Sequence, residues 1–362
     1  MNRSDIAHQR LISQHITYHK HETPYQVVAS LGAVQAQDYG SALWAVGLRA
    51  MDTTQSAVEA AITNKQIVRT WPMRGTLHFV PAEDVRWMLE LMTPRVLSGV
   101  AARERSLELT PKDFSEAFGV LEKAFADGQP ILRSQLVQIL EDASIATANQ
   151  RGYHIIWRAA QQGLICLGPM QGKQPTFIWL DAWLPHAKVL SREESLATIV
   201  SRYLNGHAPA TVKDMMHWTG LPQRDILAGL AAVQSRFISE NIDGITYWMR
   251  PDQPSFAFDA NQVVLLPAFD EYLLGYRDRT AVINADHLNK VVPGGNGVFM
   301  PTVVIGGQMV GVWKRVIKAK EVAITLLPFE RFTSKQLAAI DVAAQKYGAF
   351  YGLPAVVKLA TK

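Results

Sequence analysis

Gln35-Ala36-Gln37 places two carboxamides two residues apart in an otherwise apolar run, GAVQAQDYGSALWAVGLR. A carboxamide neither gives up nor takes a proton near neutral pH. It also sits poorly in a core. The pair therefore suits neither acid–base catalysis nor packing, and hydrogen bonding is the chemistry left to it. Upstream, Val27, Val28, Leu31 and Val34 form the apolar stripe of a helix. Gln35, four residues after Leu31, continues that stripe inward. Gln37 would be rotated from it by about 200° on a regular helix. One site can use both amides only if the helix ends here, and Asp38, Tyr39 and Gly40 read as its stop. The pair is thus expected at a helix terminus or sharp bend, aimed into a cleft backed by SALWAVGLR. The alternative is that Gln35 bonds backbone across a helix junction and Gln37 faces solvent.

Stronger chemistry is scarce. There is no glycine-rich phosphate loop and no HExxH. His15 and His19 have i, i+4 spacing in HITYHKH, with His21 beside them, but no carboxylate is near, and no metal is expected there. Cys166 is the single cysteine, which excludes an intrachain disulfide and a thiolate metal site. No cofactor is expected. The 362 residues are 48% hydrophobic and 19% charged, which suggests several compact units without long disorder. A net charge of +4 permits a nucleic-acid partner without demanding one. The start, MNRSDIAHQR, has no apolar leader segment, and no run approaches the ~20 residues of a membrane span. A cytoplasmic protein with no membrane contact is the expectation.

One pattern recurs in the elements around the pair: three helices and then a hairpin. It is clearest over residues 188–250. SREESLATIVSRYLNG is a helix with Ser191 as N-cap and Gly206 past its end. Thr211 and Asp214 form a capping box. A third helix follows Pro222, with Ile226, Leu227, Leu230 and Val233 as its apolar stripe. Asp243-Gly244 then turns a hairpin. A second copy spans 110–187. In its third helix Ile155, Ile156, Ala159 and Leu164 face inward, while Arg151, His154, Arg158, Gln161 and Gln162 share the other side. That face suits phosphates or bases, and equally a solvated surface. Residues 1–109 read as a degenerate copy with a linker helix, its hairpin turning near Pro72 to Gly75. Residues 251–362 change to short strands with glycine turns, closed by the helix SKQLAAIDVAAQKYGAFYG. Lys314, Arg315, Lys318 and Lys320 cluster there, as a phosphate-contacting strand or as a lysine-defended edge. The fold class is α+β: tandem winged-helix (helix-turn-helix) units followed by a small antiparallel, β-barrel-like C-terminal domain.

The motifs VQAQDYGSALWAVGLR, RTWPMRGTLHFV, LLPAFDEYLLGYRDR and GVFMPTVVIGGQMVGVWKR, in that order, resemble the winged-helix DNA glycosylases of the AlkZ/YcaQ type. The resemblance covers nearly the whole chain. It implies tandem winged helices and a β-barrel forming a concave DNA-binding face. The family signature of Gln, an apolar residue, then Gln or Asp reads here Gln35-Ala36-Gln37. This Gln-x-Gln form resembles the branch that unhooks interstrand crosslinks.

The activity so implied is a DNA glycosylase that needs neither metal nor cofactor. It is monofunctional, since no lysine at the motif suggests Schiff-base chemistry. The partner is double-stranded DNA carrying N7-alkylated purines. Such a base is cationic and leaves readily, so a water positioned by the Gln35 and Gln37 carbonyls would suffice. Asp38 is a further candidate base. His78 is a candidate supporting residue or a structural histidine. Arg74, Tyr39, Arg151, Arg158, Lys314 and Arg315 are candidate DNA contacts. Tyr39 and Trp44 could stack on a base or belong to the core. Asp270, Glu271, Tyr272, Arg277 and Arg279 suggest a buried ion-pair network or a lesion contact. A monomer in the cytoplasm, associated with the nucleoid, is expected. The competing function is a non-catalytic winged-helix DNA-binding transcriptional regulator.

Overall fold

The computed structural model describes residues 2–18, 20–252 and 259–360. His19 of the histidine cluster lies outside them. The fold is mixed α+β, and the chain divides into two compact units. The first takes residues up to 58, 196–218 and from 222 onward; the second takes 59–195 and 219–221. Among the described residues, no helix is long and apolar enough to cross a membrane.

In the first unit, two helices start with reciprocal caps. Asn2 and Asp5 cap Arg3–Ser13, and Thr23 and Gln26 cap Pro24–Leu31, where Pro24 takes the first position that needs no N–H. The second helix stops at Leu31. Gly32 adopts φ +79°, a left-handed conformation that glycine reaches without strain. The helix therefore ends before the glutamines, earlier than the apolar spacing predicts. Val34–Gln35 is a short strand, and Asp38 is the N-cap of a new helix, Tyr39–Arg49, rather than the end of the old one.

Helices Arg192–His207, Val212–Thr219 and Gln223–Val233 precede the hairpin Ile238–Ile242/Ile245–Met249, which turns at Asp243-Gly244. The Thr211–Asp214 box is made in both directions, at 3.1 and 2.9 Å. Two details differ from the sequence reading. Leu227 is exposed. Gly206 lies inside its helix, where a Cβ would come within 2.7 Å of the Ser30 carbonyl and 3.0 Å of Leu31 Cα. It serves close helix packing instead of a helix end.

The C-terminal region is a five-stranded sheet in the order Ala355–Leu359, Val322–Pro328, Gln308–Ile317, Thr302–Ile305, Val263–Leu266. Gly306-Gly307 makes its central hairpin turn, as expected. The sheet is not wholly antiparallel: Ala355–Leu359 follows the last helix, Ser334–Phe350, and pairs parallel to Val322–Pro328. Tyr347 of that helix is buried edge-on against Trp44 and Trp313, each at 5.0 Å. Both indole N–H groups donate to the edge strand, Trp44 to the Leu265 carbonyl at 2.8 Å and Trp313 to that of Leu266 at 2.9 Å. Trp44 is therefore a core residue that satisfies a strand at the sheet edge.

The second unit joins two hairpins, Ile67–Met73/Thr76–Pro81 and Ile165–Gln171/Gln174–Trp179, through pairing of Arg69 with Leu167; Ile131–Leu132 adds a strand beyond. Helices Val85–Ser98, Pro111–Ala124, Arg133–Asp142 and Arg151–Gln161 surround this sheet. Its core gathers Trp71, Phe114, Leu121, Leu136, Ile155, Ile156 and Phe177. Inward packing of Ile155, Ile156 and Ala159 matches the helical spacing, while Leu164 falls past the helix and is half-buried. His154 and Gln161, expected on the outer side, are buried.

Candidate active site

The early stop at Gly32 takes both amides off the helix: Val34–Gln35 is extended, and the strand ends before Gln37, which lies in a bend. Gln35 is buried and Gln37 exposed, with Ala36 fully buried between them. The segment is fixed from several sides. The Gly32 turn is close-packed: a Cβ, already disfavoured at φ +79°, would press on Arg202 Cβ at 3.3 Å and touch the Trp218 ring at 3.6 Å. Arg202 in turn donates to the Ala29 carbonyl at 2.9 Å, satisfying the last turn of the Pro24–Leu31 helix.

One hold on Gln35 comes from far along the chain. Its backbone N–H donates to Glu271 Oε1 at 3.0 Å, across 236 residues. Glu271 is fully buried. Its other oxygen accepts the Trp218 indole N–H at 2.9 Å and lies 3.4 Å from His207 Nε2. Next to it, Asp270 takes a bidentate pair of bonds from Arg49, both at 2.9 Å. Phe269, just before, has φ +59°, a costly conformation for a bulky side chain that turns the backbone into these two acids. Asp270 and Glu271 thus hold the two ends of one element. Glu271 grips the segment before helix Tyr39–Arg49, and Asp270 grips that helix's last residue. Of FDEYLLGYRDR, Asp270, Glu271 and Tyr272 are buried, as the network reading expects, whereas Arg277 is exposed and Arg279 half-buried. The Arg277 backbone N–H donates to Asp214 Oδ1 at 2.8 Å. Arg279 lies over the Phe299 ring at 5.0 Å.

Asp38 is tied into the start of the next helix. Its Oδ1 accepts the Ser41 N–H at 2.7 Å and pairs with Arg315 at 3.5 Å. Gly40 permits this, because a Cβ there would sit 2.9 Å from the Arg315 guanidinium. Arg315 and Asp38 are therefore brought together at the start of the helix that follows Gln37. Tyr39, the first residue of that helix, is half-buried, and Lys314 is exposed.

The remaining candidates lie in the second unit. Arg74, at φ +53°, turns the first hairpin with Gly75, and its guanidinium sits 3.2 Å from His78 Nε2. His78 is buried, and its Nδ1 is 2.9 Å from the Thr76 carbonyl. An Nδ1–H tautomer donates to that carbonyl and leaves the Nε2 lone pair to Arg74. Arg151 donates to the Leu107 and Glu108 carbonyls and faces Asp113 at 3.6 Å. Arg158 pairs with Glu104 and lies over Phe114 at 4.6 Å. Both arginines thus have acceptors within their own unit. In the first unit, the His15 and His21 ring centroids lie 4.0 Å apart with their planes tilted by 47°. Among the described residues, no group of three or more His, Cys, Asp or Glu side chains is placed to hold a metal ion.

Sequence reasoning found the amides but missed their support. Gly32 was a readable signal, since a glycine after an apolar helical stripe commonly ends a helix. Glu271 was readable as a member of a buried network, but Trp218 and His207 carried no signal, because their meeting with Glu271, and that of Glu271 with Gln35, is purely tertiary.

Comparison with known proteins agrees with this architecture. The family model for AlkZ-like DNA glycosylases matches residues 28–350, which include the amide pair. A curated relative, the interstrand DNA cross-link repair glycosylase of Streptomyces sahachiroi, is 25% identical over 324 residues, 83% of this chain and 84% of that protein. The solved structure of the Streptomyces sahachiroi DNA glycosylase AlkZ superposes with a TM-score of 0.83 over 99% of this chain and 100% of the other. At 22% identity that likeness speaks to the fold alone. The match across most of the chain settles its family: it belongs to the AlkZ-like DNA glycosylases.

Proposed function

We propose that this chain is a monofunctional DNA glycosylase that hydrolyses the N-glycosidic bond of N7-alkylated purines, including those held in interstrand crosslinks. The observation that carries the mechanism is the amide pair on a non-helical segment whose backbone is pinned at Gln35 by a buried carboxylate. The crosslink substrate is supported by the printed activity of the Streptomyces relative. In the proposed reaction the C1′–N9 bond breaks and its electron pair neutralises the cationic purine. The oxygen of a water bonds to C1′, and its proton passes to solvent. The Gln35 and Gln37 carbonyls accept hydrogen bonds from that water and hold it beside C1′. Amides cannot deprotonate it, so an unmodified base, a poor leaving group, stays in place. Asp38 supports the site by capping the next helix and anchoring Arg315.

The three helix–hairpin repeats, over 1–109, 110–187 and 188–250, are proposed as winged helices, followed by a barrel-like 251–362. Arg74, Arg151, Arg158, Lys314, Arg315 and Tyr39 are proposed DNA contacts, with His78 bracing Arg74. The protein would act as a monomer in the cytoplasm, at the nucleoid. The test is base release from three duplexes: one with N7-methylguanine, one with an N7-linked crosslink, one unmodified. Each is repeated with borohydride. Release from the first two, intact abasic strands and no borohydride-trapped adduct are expected. Tight binding of one unmodified sequence with no release would replace this reading with a transcriptional regulator.

A further inference from the structure

We propose that Glu271 is a positioning residue for the reaction: its carboxylate sets the place of the catalytic amide by holding the Gln35 backbone N–H. This rests on the reading of Gln35 as catalytic.

Three observations carry it. First, the bond is made to the main chain of Gln35 itself, at 3.0 Å, so it holds the backbone of the segment without using the side-chain amide. Second, Glu271 is itself immobilised. Its second oxygen accepts from Trp218 at 2.9 Å, and His207 closes the same side at 3.4 Å. His207 stacks on Tyr203 at 4.5 Å, and Tyr203 donates to the Gly275 carbonyl at 2.8 Å. Gly275 is required for this packing, because a Cβ would come within 2.9 Å of the His207 ring. Third, Trp218 does two jobs. It donates to Glu271, and its ring edge lies against the Gly32 turn from which the segment emerges. One carboxylate and one indole thus define both the start of the segment and its first glutamine. Catalysis by an oriented water depends on placement at the ångström scale, so loosening this hold should lower the chemical rate more than DNA affinity.

The hydrogen-bond inventory supplies a rescue. In Glu271→Gln one amide oxygen can still accept from Gln35, but the amide NH2 then faces the Trp218 N–H, donor against donor. Trp218→Phe removes that donor, and the NH2 can turn to His207. We would measure single-turnover release of N7-methylguanine and duplex Kd for wild type, Glu271→Gln, Trp218→Phe/Glu271→Gln and Gln35→Ala. Thermal melting confirms that each is folded. Hydrogen exchange at the Gln35 amide is followed alongside. The expected result is at least a tenfold slower rate in Glu271→Gln, with Kd within about twofold and faster exchange at Gln35. The double variant should recover at least threefold. A folded Glu271→Gln with wild-type rate, or a loss not recovered in the double variant, overturns the proposal. Gln35→Ala separates the two ideas: if it also keeps the wild-type rate, the catalytic reading of Gln35 fails, and not only the role of Glu271.

Discussion

Arg49→Met tests whether the acid pair behind the amide segment is a stabilising element or a passive one. The Arg49 guanidinium carries five N–H bonds, and all five are used. They go to the Gln14 carbonyl and Oε1, the Ala45 carbonyl, and both oxygens of Asp270, at 2.8 to 2.9 Å. Both Arg49 and Asp270 are buried. Methionine fills similar space but leaves Asp270 as a buried carboxylate whose remaining bond is to the Tyr272 N–H at 2.9 Å. Removing one partner of a buried pair costs about 3–5 kcal/mol, most of it the uncompensated charge. That is a large share of the ~5–15 kcal/mol of a folded domain. Replacing both partners removes the buried charge but still loses the Gln14 and Ala45 bonds and the helix cap, so Arg49→Met/Asp270→Leu should cost about 1–2 kcal/mol less than Arg49→Met. The assay is urea unfolding followed by tryptophan fluorescence, with Arg49→Met, Asp270→Leu and the double variant forming a double-mutant cycle with wild type. The double variant must be more stable than Arg49→Met alone. If Arg49→Met costs under about 1 kcal/mol, or the two losses simply add, the buried-pair reasoning is wrong.

Two further outcomes follow from packing and protonation. Gly206→Ala should destabilise by about 1–3 kcal/mol, because its Cβ would press on backbone atoms of Ser30 and Leu31 that cannot rotate away. Gly119→Ala is the control: its Cβ meets nothing within 4 Å, so it should gain about 0.5–1 kcal/mol in the same unfolding assay. His21 is pushed down from 6.5 to about 4, first by burial and then by His15. The unfolded chain therefore binds more protons between these values. The stability His21 contributes is complete above pH 6.5 and is lost as pH falls toward 4. His21→Asn should flatten the fall of unfolding free energy from pH 6.5 to 4.5, and an unchanged slope would count against it.

Much of the scaffold was legible because it is local. Capping boxes at Thr23, Thr211 and Ser191, and turns at Asp243-Gly244 and Gly306-Gly307, are written within four residues of chain. The repeated helices and hairpins follow from them. The site was legible only in its chemistry. The Gln35–Gln37 spacing signalled something other than core. The helical stripe through Val34 nevertheless concealed the stop at Gly32, since periodicity outweighed one glycine in that reading. Arg151 and Arg158 looked like an open basic face on spacing alone. Their acceptors, Leu107 and Glu108 in a turn and Asp113 and Glu104 on other helices, are ones that no periodicity can bring near. The pin on Gln35 spans 236 residues, and such a contact is fixed by the fold as a whole.

The central claim is that two amides, without an acid–base pair, drive base release. Its most direct test is the single-turnover rate of N7-methylguanine release by wild type, Gln35→Ala, Gln37→Ala and Asp38→Asn, with duplex Kd measured for each. The account predicts at least about a tenfold loss (1.4 kcal/mol in the barrier) in either glutamine variant at unchanged Kd. Asp38→Asn should lose less, since its oxygen still caps the helix. Full rate in both glutamine variants, or a larger loss in Asp38→Asn than in either of them, would contradict it.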